Sequence, residues 1–337
     1  MWWFDQQMDR TKLSMAESSN ADVSADVEQY ADAILRVCSY HRWDLDRVVI
    51  RSYPHQMQKV QASLQSAFET WPTADLGTLG RLPIELIFLI LNELDIRSFF
   101  RFRQVNRKAR VIATDVREYS LVSRHGLEGL RGLLRGGLAP FFTVRSLYRA
   151  LITDKCATCG AFGGYLFLFT VQRCCFDCLQ SQARYRVLPL LGIDELAKVC
   201  LIYGSGKILR TVPGSYSMVG RPTTRPNYLI AASKATEILL AIRAIGEHTV
   251  HKLRLREEKQ GQRFMAATAY PYYSLEDTRV EHGVSCKGCQ VRYLLHHGTI
   301  PSHSPPFSIR GFLLHFSQCE EAQCLWAASE KGDTTCR

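Results

Sequence analysis

Apolar positions mark out the elements along the chain. Val27, Tyr30, Ile34, Leu35 and Cys38 recur at helical spacing and predict a helix over about 27–40. A weaker helical pattern follows at about 56–71. Pro72, Gly77 and Gly80 then interrupt the pattern and mark a linker. Helical periodicity resumes at Leu82 and continues in pieces to about Leu151. Beyond Leu151 the character changes, with paired cysteines, glycines and a strand-like apolar run at 165–171. Further helices are expected at about 194–201, 229–256 and 312–326, with a Gly/Pro-rich stretch at 204–226. Residues 1–25, rich in Ser, Asp and Gln and without period, read as a disordered tail. The pattern predicts a mainly α fold with small β elements.

One helix has too much apolar surface. Leu82-Pro83 opens it, with proline suited to a first helical position because its missing N–H costs nothing there. At 100° per residue, Ile84, Leu86, Ile87, Phe88, Ile90, Leu91 and Leu94 cover an arc of about 200°. A helix packed on a single core needs a stripe of only about 100°. This helix is therefore either fully buried or serves two surfaces, one inside its domain and one on a partner.

The order Leu82-Pro83-Ile84-Glu85-Leu86, Ile90-Leu91-Asn92-Glu93-Leu94-Asp95 and Phe99-Phe100-Arg101-Phe102-Arg103-Gln104-Val105-Asn106-Arg107 resembles an F-box. Where that family often has tryptophan, this chain has Ala109. The resemblance implies a three-helix module over 78–118 that docks the Skp adaptor, and through it the cullin and RING subunits of an SCF ubiquitin ligase. It implies Leu82, Pro83, Glu85, Leu86, Ile90 and Leu91 as adaptor-binding residues. The segments 26–77 and 119–337 then become a helical N-terminal segment and a helical, zinc-binding C-terminal region.

Twelve cysteines require a chemical explanation. Cys156, Cys159, Cys175 and Cys178 form C-x2-C-x15-C-x2-C, a structural zinc spacing. Two Cys-x-x-Cys turns each bring two thiolates to one ion at about 2.3 Å and complete a tetrahedron. The glycines and aromatic residues between them suit a hairpin that joins the turns. Arg173 and Lys155 flank the set and could offset its charge. Cys174 competes with Cys175 for the ligand role, but only Cys175 keeps the two-residue gap. A second set is Cys286, Cys289, His315 and Cys319, with the last two at i, i+4 on the helix expected at 312–326. His296, His297, His303 and Cys324 are alternative ligands for it. The expected cofactor is zinc, one ion at the first set and a further site at the second. Cys38 and Cys200 fall on apolar helical patterns and read as buried core residues. The F-box followed by these cysteine segments also resembles a group of fungal F-box proteins, which implies no particular substrate.

The chain has 337 residues and a formal charge of +10, unevenly placed. Residues 1–96 hold 8 Lys/Arg against 14 Asp/Glu, whereas 97–150 hold 12 against 3, nearly all arginine. Such a band could bind nucleic acid. Its arginines are spread out and lack interleaved aromatic residues, so a solvated helical face is the better reading. A zinc-containing nucleic-acid-binding protein is the alternative function. No membrane-length apolar run and no secretory signal is apparent, so a cytoplasmic or nuclear location is expected. Phosphate-loop, G-x-S-x-G and H-E-x-x-H motifs are absent. A four-thiolate site leaves no open metal position, and the two sets do not interleave as RING ligands would. The expected role is a non-catalytic receptor that brings an unknown protein substrate to a ligase.

Overall fold

A computed structural model describes residues 25–52, 54–66, 75–190, 206–217, 222–241, 261–295 and 305–332. The expected tail up to residue 24, the helix expected at 194–201, Cys200, and the later part of the helix expected at 229–256 lie outside these residues.

The first segment contains helix α1 (Ala31–Cys38), strand β1 (Ser39–Tyr40), a helical turn at Trp43–Asp46 and helix α2 (Pro54–Gln65). Six helices then follow almost without loops: α3 (Ile84–Glu93), α4 (Ile96–Arg103), α5 (Arg107–Asp115), α6 (Arg117–His125), α7 (Leu127–Gly136) and α8 (Val144–Leu151). Polar side chains set three of their starts. Asp95 accepts from Ser98 N at 2.9 Å, Asn106 from Ala109 N at 2.8 Å and Thr143 from Ser146 N at 3.2 Å. Each such cap is worth about 1 kcal/mol.

Strand β2 (Tyr165–Phe167) lies at the centre of a three-stranded antiparallel sheet, between β3 (Gln172–Cys174) and the distant β7 (Ala267–Ala269). The apolar run expected as one strand over 165–171 ends at Phe167. A turn intervenes, with Val171 at φ 54°, because the chain must reverse to form β3. All three residues of β2 are buried, which explains a continuous apolar run in place of alternation. Helix α7 lies close enough to this region that a Cβ on Gly129 would stand 2.6 Å from the Tyr270 ring.

After helix α9 (Phe176–Ser181), strands β4 (Val187–Pro189), β5 (Ile208–Arg210) and β6 (Tyr228–Ala231) form a second antiparallel sheet, order β4-β6-β5. The helix expected from residue 229 begins only at Ala232, as α10 (Ala232–Ala241). Leu229 and Ile230 pair with Pro189 and Leu188 instead, and this tertiary pairing overrides the local helical pattern. Strands β8 (Tyr272–Tyr273) and β9 (Val280–Glu281) form a hairpin, and β10 (Ser285–Cys286) pairs with β1. Helices α11 (Lys287–Leu295), α12 (Ile309–Phe316) and α13 (Glu320–Ala328) follow.

The main core is continuous from the α3–α8 helices into the cysteine-bearing sheet; Ile87, Leu91, Phe99 and Tyr119 share it with Cys156, Cys175 and Leu166. A second small core joins Ile34 and Cys38 of α1 to Cys286, Phe312, Phe316 and Cys319, about 250–285 residues away. Ile50 links the same N-terminal segment to β7: its N–H donates to Ala267 O at 2.8 Å and its carbonyl accepts from Thr268 Oγ1 at 2.8 Å.

Most arginines of the basic band are exposed, as a solvated face requires, but Arg103 and Arg110 work inside the fold. Arg103 is buried and donates to the carbonyls of Ser63 and Leu64 and to Thr114 Oγ1. Arg110 donates to Ser63 O at 2.6 Å, and Tyr119 to Leu64 O at 2.8 Å. These groups satisfy the last carbonyls of α2, where positive charge also suits the helix dipole.

Candidate functional site

Helix α3 carries the first candidate surface. Its wide apolar arc divides into two faces. Ile87 (3% exposed) and Leu91 (1%) enter the core, whereas Leu86 (46%) and Leu89 (55%) face outward. Leu82, Ile84 and Ile90 are exposed as well. Pro83 precedes the first helical residue, and its carbonyl accepts from Leu86 N and Ile87 N. Of the residues expected to face an adaptor, Leu82, Pro83, Glu85, Leu86 and Ile90 are exposed. Leu91 lies on the opposite side, packed in the core, and supports the helix from within. Ile84 and Leu89 are exposed beside them; Ile84 belongs to the wide apolar arc, and Leu89 falls outside it. Ala109 is fully buried in α5, so its small side chain is matched to close packing there.

The second candidate site is a cysteine cluster. The β2–β3 hairpin brings together the two Cys-x-x-Cys turns, as the spacing predicted. Sγ atoms of Cys156, Cys159, Cys175 and Cys178 all lie within 4.8 Å of one another, and Cys159 and Cys175 are 3.6 Å apart. Sulfurs in a disulfide sit at about 2.05 Å, whereas ligands at 2.3 Å from a tetrahedral zinc stand about 3.8 Å apart. The spacing is therefore that of metal ligands. Gly160, at φ +76°, closes the first turn by donating to Cys156 O. Thr158 N donates to Cys156 Sγ and Cys178 N to Cys175 Sγ, both at 3.4 Å. Backbone N–H groups directed at sulfur favour thiolate. The four thiols cannot all ionise alone: hydrogen bonds from its neighbours hold Cys156 well below the ordinary thiol range, while Cys175 and Cys178 are pushed above it. A dication removes this conflict. Cys174, beside them, is not in the cluster; burial pushes its thiol up and keeps it protonated.

Arg173 does not reach the sulfurs. Its guanidinium, 2% exposed, donates to four carbonyls: Gly163, Ala150, Pro271 and Tyr270, at 2.7–3.0 Å. Burial lowers its pKa to about 10, so it stays charged at neutral pH. Its role is to fasten β3, α8 and the link between β7 and β8 together behind the cluster.

The third candidate site gathers Cys286, Cys289, His315 and Cys319 within 4.8 Å. Cys286 and Cys319 sulfurs are 3.8 Å apart, Cys289 and Cys319 4.0 Å, and His315 Nε2 is 3.3 Å from Cys289 Sγ. His315 and Cys319 do not share one helix. His315 is in the last turn of α12 and Cys319 precedes α13, with the chain turning between them. The turn lets both side chains converge on Cys286 and Cys289, at and just before the start of α11. Phe307 stacks on the His315 ring at 4.7 Å and orients it. Gly288 is required here, because a Cβ would stand 2.3 Å from Ala322 N. Cys324 is exposed and outside the set, and His296, His297 and His303 lie outside the described residues. Cys38 is buried beside this site and donates to Ala322 O at 3.3 Å. Both clusters could hold a metal ion and have ligand sets compatible with zinc, four thiolates in the one and three thiolates with an imidazole in the other. Among the described residues, no helix is long and apolar enough to cross a membrane.

Residues 79–121, which hold α3 to α5 and the first turn of α6, match the family model of the F-box domain. No curated protein and no solved structure matches the chain. The match supports an F-box domain at these residues.

Proposed function

We propose that the chain is the substrate receptor of an SCF-type cullin-RING ubiquitin ligase. The Skp adaptor docks on the outward face of α3, through Leu82, Pro83, Glu85, Leu86 and Ile90, together with Ile84 and Leu89. The carrying observation is that one short helix leaves this apolar row uncovered while its opposite face fills the core. Cys156, Cys159, Cys175 and Cys178 hold one zinc ion, and Cys286, Cys289, His315 and Cys319 hold a second. Zinc here supplies folding free energy and no open coordination position for chemistry. The region after Thr143 presents the surface that the substrate protein meets. Ubiquitin transfer belongs to other subunits, and this chain contributes proximity and orientation. Thiol-rich zinc centres suit a reducing compartment, the cytoplasm or nucleus.

Replacing Leu86 and Leu89 together by Asp tests the docking face. The double variant should lose co-purification with a recombinant Skp adaptor while keeping its thermal midpoint within about 2 °C, since both side chains are already solvated. Undiminished adaptor binding by the folded variant would refute the assignment.

A further inference from the structure

A groove of about 460 Å³ lies between the two cysteine centres. One wall is the loop of the first centre, with Gly160, Ala161 and Phe162; the other is α12 with the segment before it, where Phe307 stands. The β8–β9 hairpin closes the end. Its volume is that of a ligand pocket able to take a large side chain with some backbone on either side.

The lining is electrically unusual for this molecule. Asp154, Glu276, Asp277 and Glu281 converge on the groove, opposed by Lys155 and Arg310. The whole chain carries +10, yet this concavity is net negative. None of the four carboxylates is in an ion pair among the described residues. Glu281 is anchored, with one oxygen accepting from Ile309 N at 2.8 Å. Asp277 is held by the Ser274 hydroxyl at 3.2 Å. Burial, with Asp154 and Asp277 nearby, holds the Glu281 carboxyl above the usual range. These carboxylates repel one another, and a cation between them would relieve the repulsion.

The aromatic residues complete the picture. Tyr272 is the cross-strand partner of Glu281 in the hairpin, so their side chains stand on one face. Phe307 is fixed from behind by its stack on His315, and its backbone exchanges hydrogen bonds with Val284 at 2.8 and 2.9 Å. Phe162 closes the side of the first centre. Planar rings beside anchored carboxylates recognise a guanidinium: the carboxylates accept its forked N–H groups and the rings take its flat face. A lysine ammonium would use the charge but not the flat stack.

We propose that this groove binds a partner protein segment through an exposed arginine side chain, with lysine as a weaker substitute. The inference deepens the substrate-receptor reading and rests on it for the partner's fate, but not for the binding itself. It also gives the two metal centres a common purpose, since each holds one wall of the groove.

The test is selection of random nonapeptides by display on the full-length, zinc-loaded chain, with adaptor binding measured on the same preparation. Selected peptides should be enriched in arginine, and replacing that arginine by citrulline, which keeps the shape and removes the charge, should weaken binding about tenfold. The Glu276→Gln/Asp277→Asn variant, altered only at exposed positions, should lose the enrichment while keeping adaptor binding. Glu281→Gln, which retains an acceptor for Ile309 N, should cut affinity about tenfold as well. Raising salt from about 0.05 to about 0.5 M should weaken the complex. Absence of arginine enrichment, equal binding of the citrulline peptide, or the same selection by the double variant would overturn the proposal. Peptide selection without adaptor binding would refute the ligase reading and leave the groove assignment standing. Adaptor binding without peptide selection would do the reverse.

Discussion

The two cysteine centres have similar ligand chemistry and different supports. The first is assembled by one hairpin within residues 156–178, and its cysteines belong to the main core that also buries Ile87 and Leu91 of α3. Its backing is strong, with Arg173 joining four carbonyls from three parts of the chain. The second draws ligands from 286–319 and rests on a small core completed by Ile34 and Cys38 from the far end of the sequence. Closing a short loop costs little entropy, so the first centre can form from local structure. The second depends on a contact that only the finished fold provides. Metal affinity therefore depends on the ligands and also on what holds them still.

The largest expected effect lies at the first centre. Cys159→Ser should lower the zinc content from two equivalents to one. It should destabilise the protein by on the order of 5 kcal/mol, because apparent binding free energies of structural zinc are ~10–16 kcal/mol at pH 7. The shared core predicts that the α3–α8 helices unfold in the same transition, read by far-ultraviolet circular dichroism during urea unfolding. Two separate transitions would show that the centres and the helices do not form one cooperative unit.

Ile34→Ala probes the contrast from the other side. The side chain is 2% exposed, and its loss should cost about 2–5 kcal/mol locally. Zinc at the second centre should then be removed by lower chelator concentrations, with the first centre unchanged. Equal weakening of both centres in a chelator titration would contradict the separate supports.

The smallest effect concerns the clasp between the N-terminal segment and the rest. His41 Nε2 lies 2.7 Å from Asp46 Oδ2, its Nδ1 is 3.1 Å from Gly283 O, and Asp46 accepts from Tyr165 OH at 3.1 Å. The Asp46 hydrogen bond raises the His41 pKa above 6.5, against the opposing effect of burial. A raised folded-state value means that this stabilisation is complete below pH 6.5 and disappears as pH rises through the folded value. The difference in thermal midpoint between the native chain and His41→Gln should shrink from about pH 6 to about pH 9. It should correspond to under about 1 kcal/mol at its largest, because the pair is partly solvated. A difference that grows with pH would contradict the ion pair.

Much of the chemistry was legible in the chain. Cys-x-x-Cys spacing encodes all of the first ligand set and half of the second, because two thiolates with two residues between them can reach one ion from a single turn. The excess apolar arc of α3 left full burial or a second surface as the two options, because a single core cannot use about 200° of a helix. Which residue faces which way was not legible: Leu91 and Ile90 are neighbours of similar hydrophobicity, and only the packing of α3 against its core sends one inward and the other out. Likewise, a helix pattern at Leu229 gave way to strand pairing with β4, and an expected single helix split so that His315 and Cys319 could meet Cys286 and Cys289.

Local spacing by itself determined the four-cysteine ligand set and the mainly helical character, since each depends on residues close in sequence, while the F-box was legible as a resemblance and the second ligand set only as one choice among several. Only the tertiary structure decided that arginines of the basic band cap α2, that Arg173 serves carbonyls and not thiolates, that α1 supports the second centre, and that four carboxylates meet three aromatic rings in one groove. Those arrangements join residues up to about 280 positions apart. Their partners are chosen by shape and burial in three dimensions, for which a one-dimensional period carries no signal.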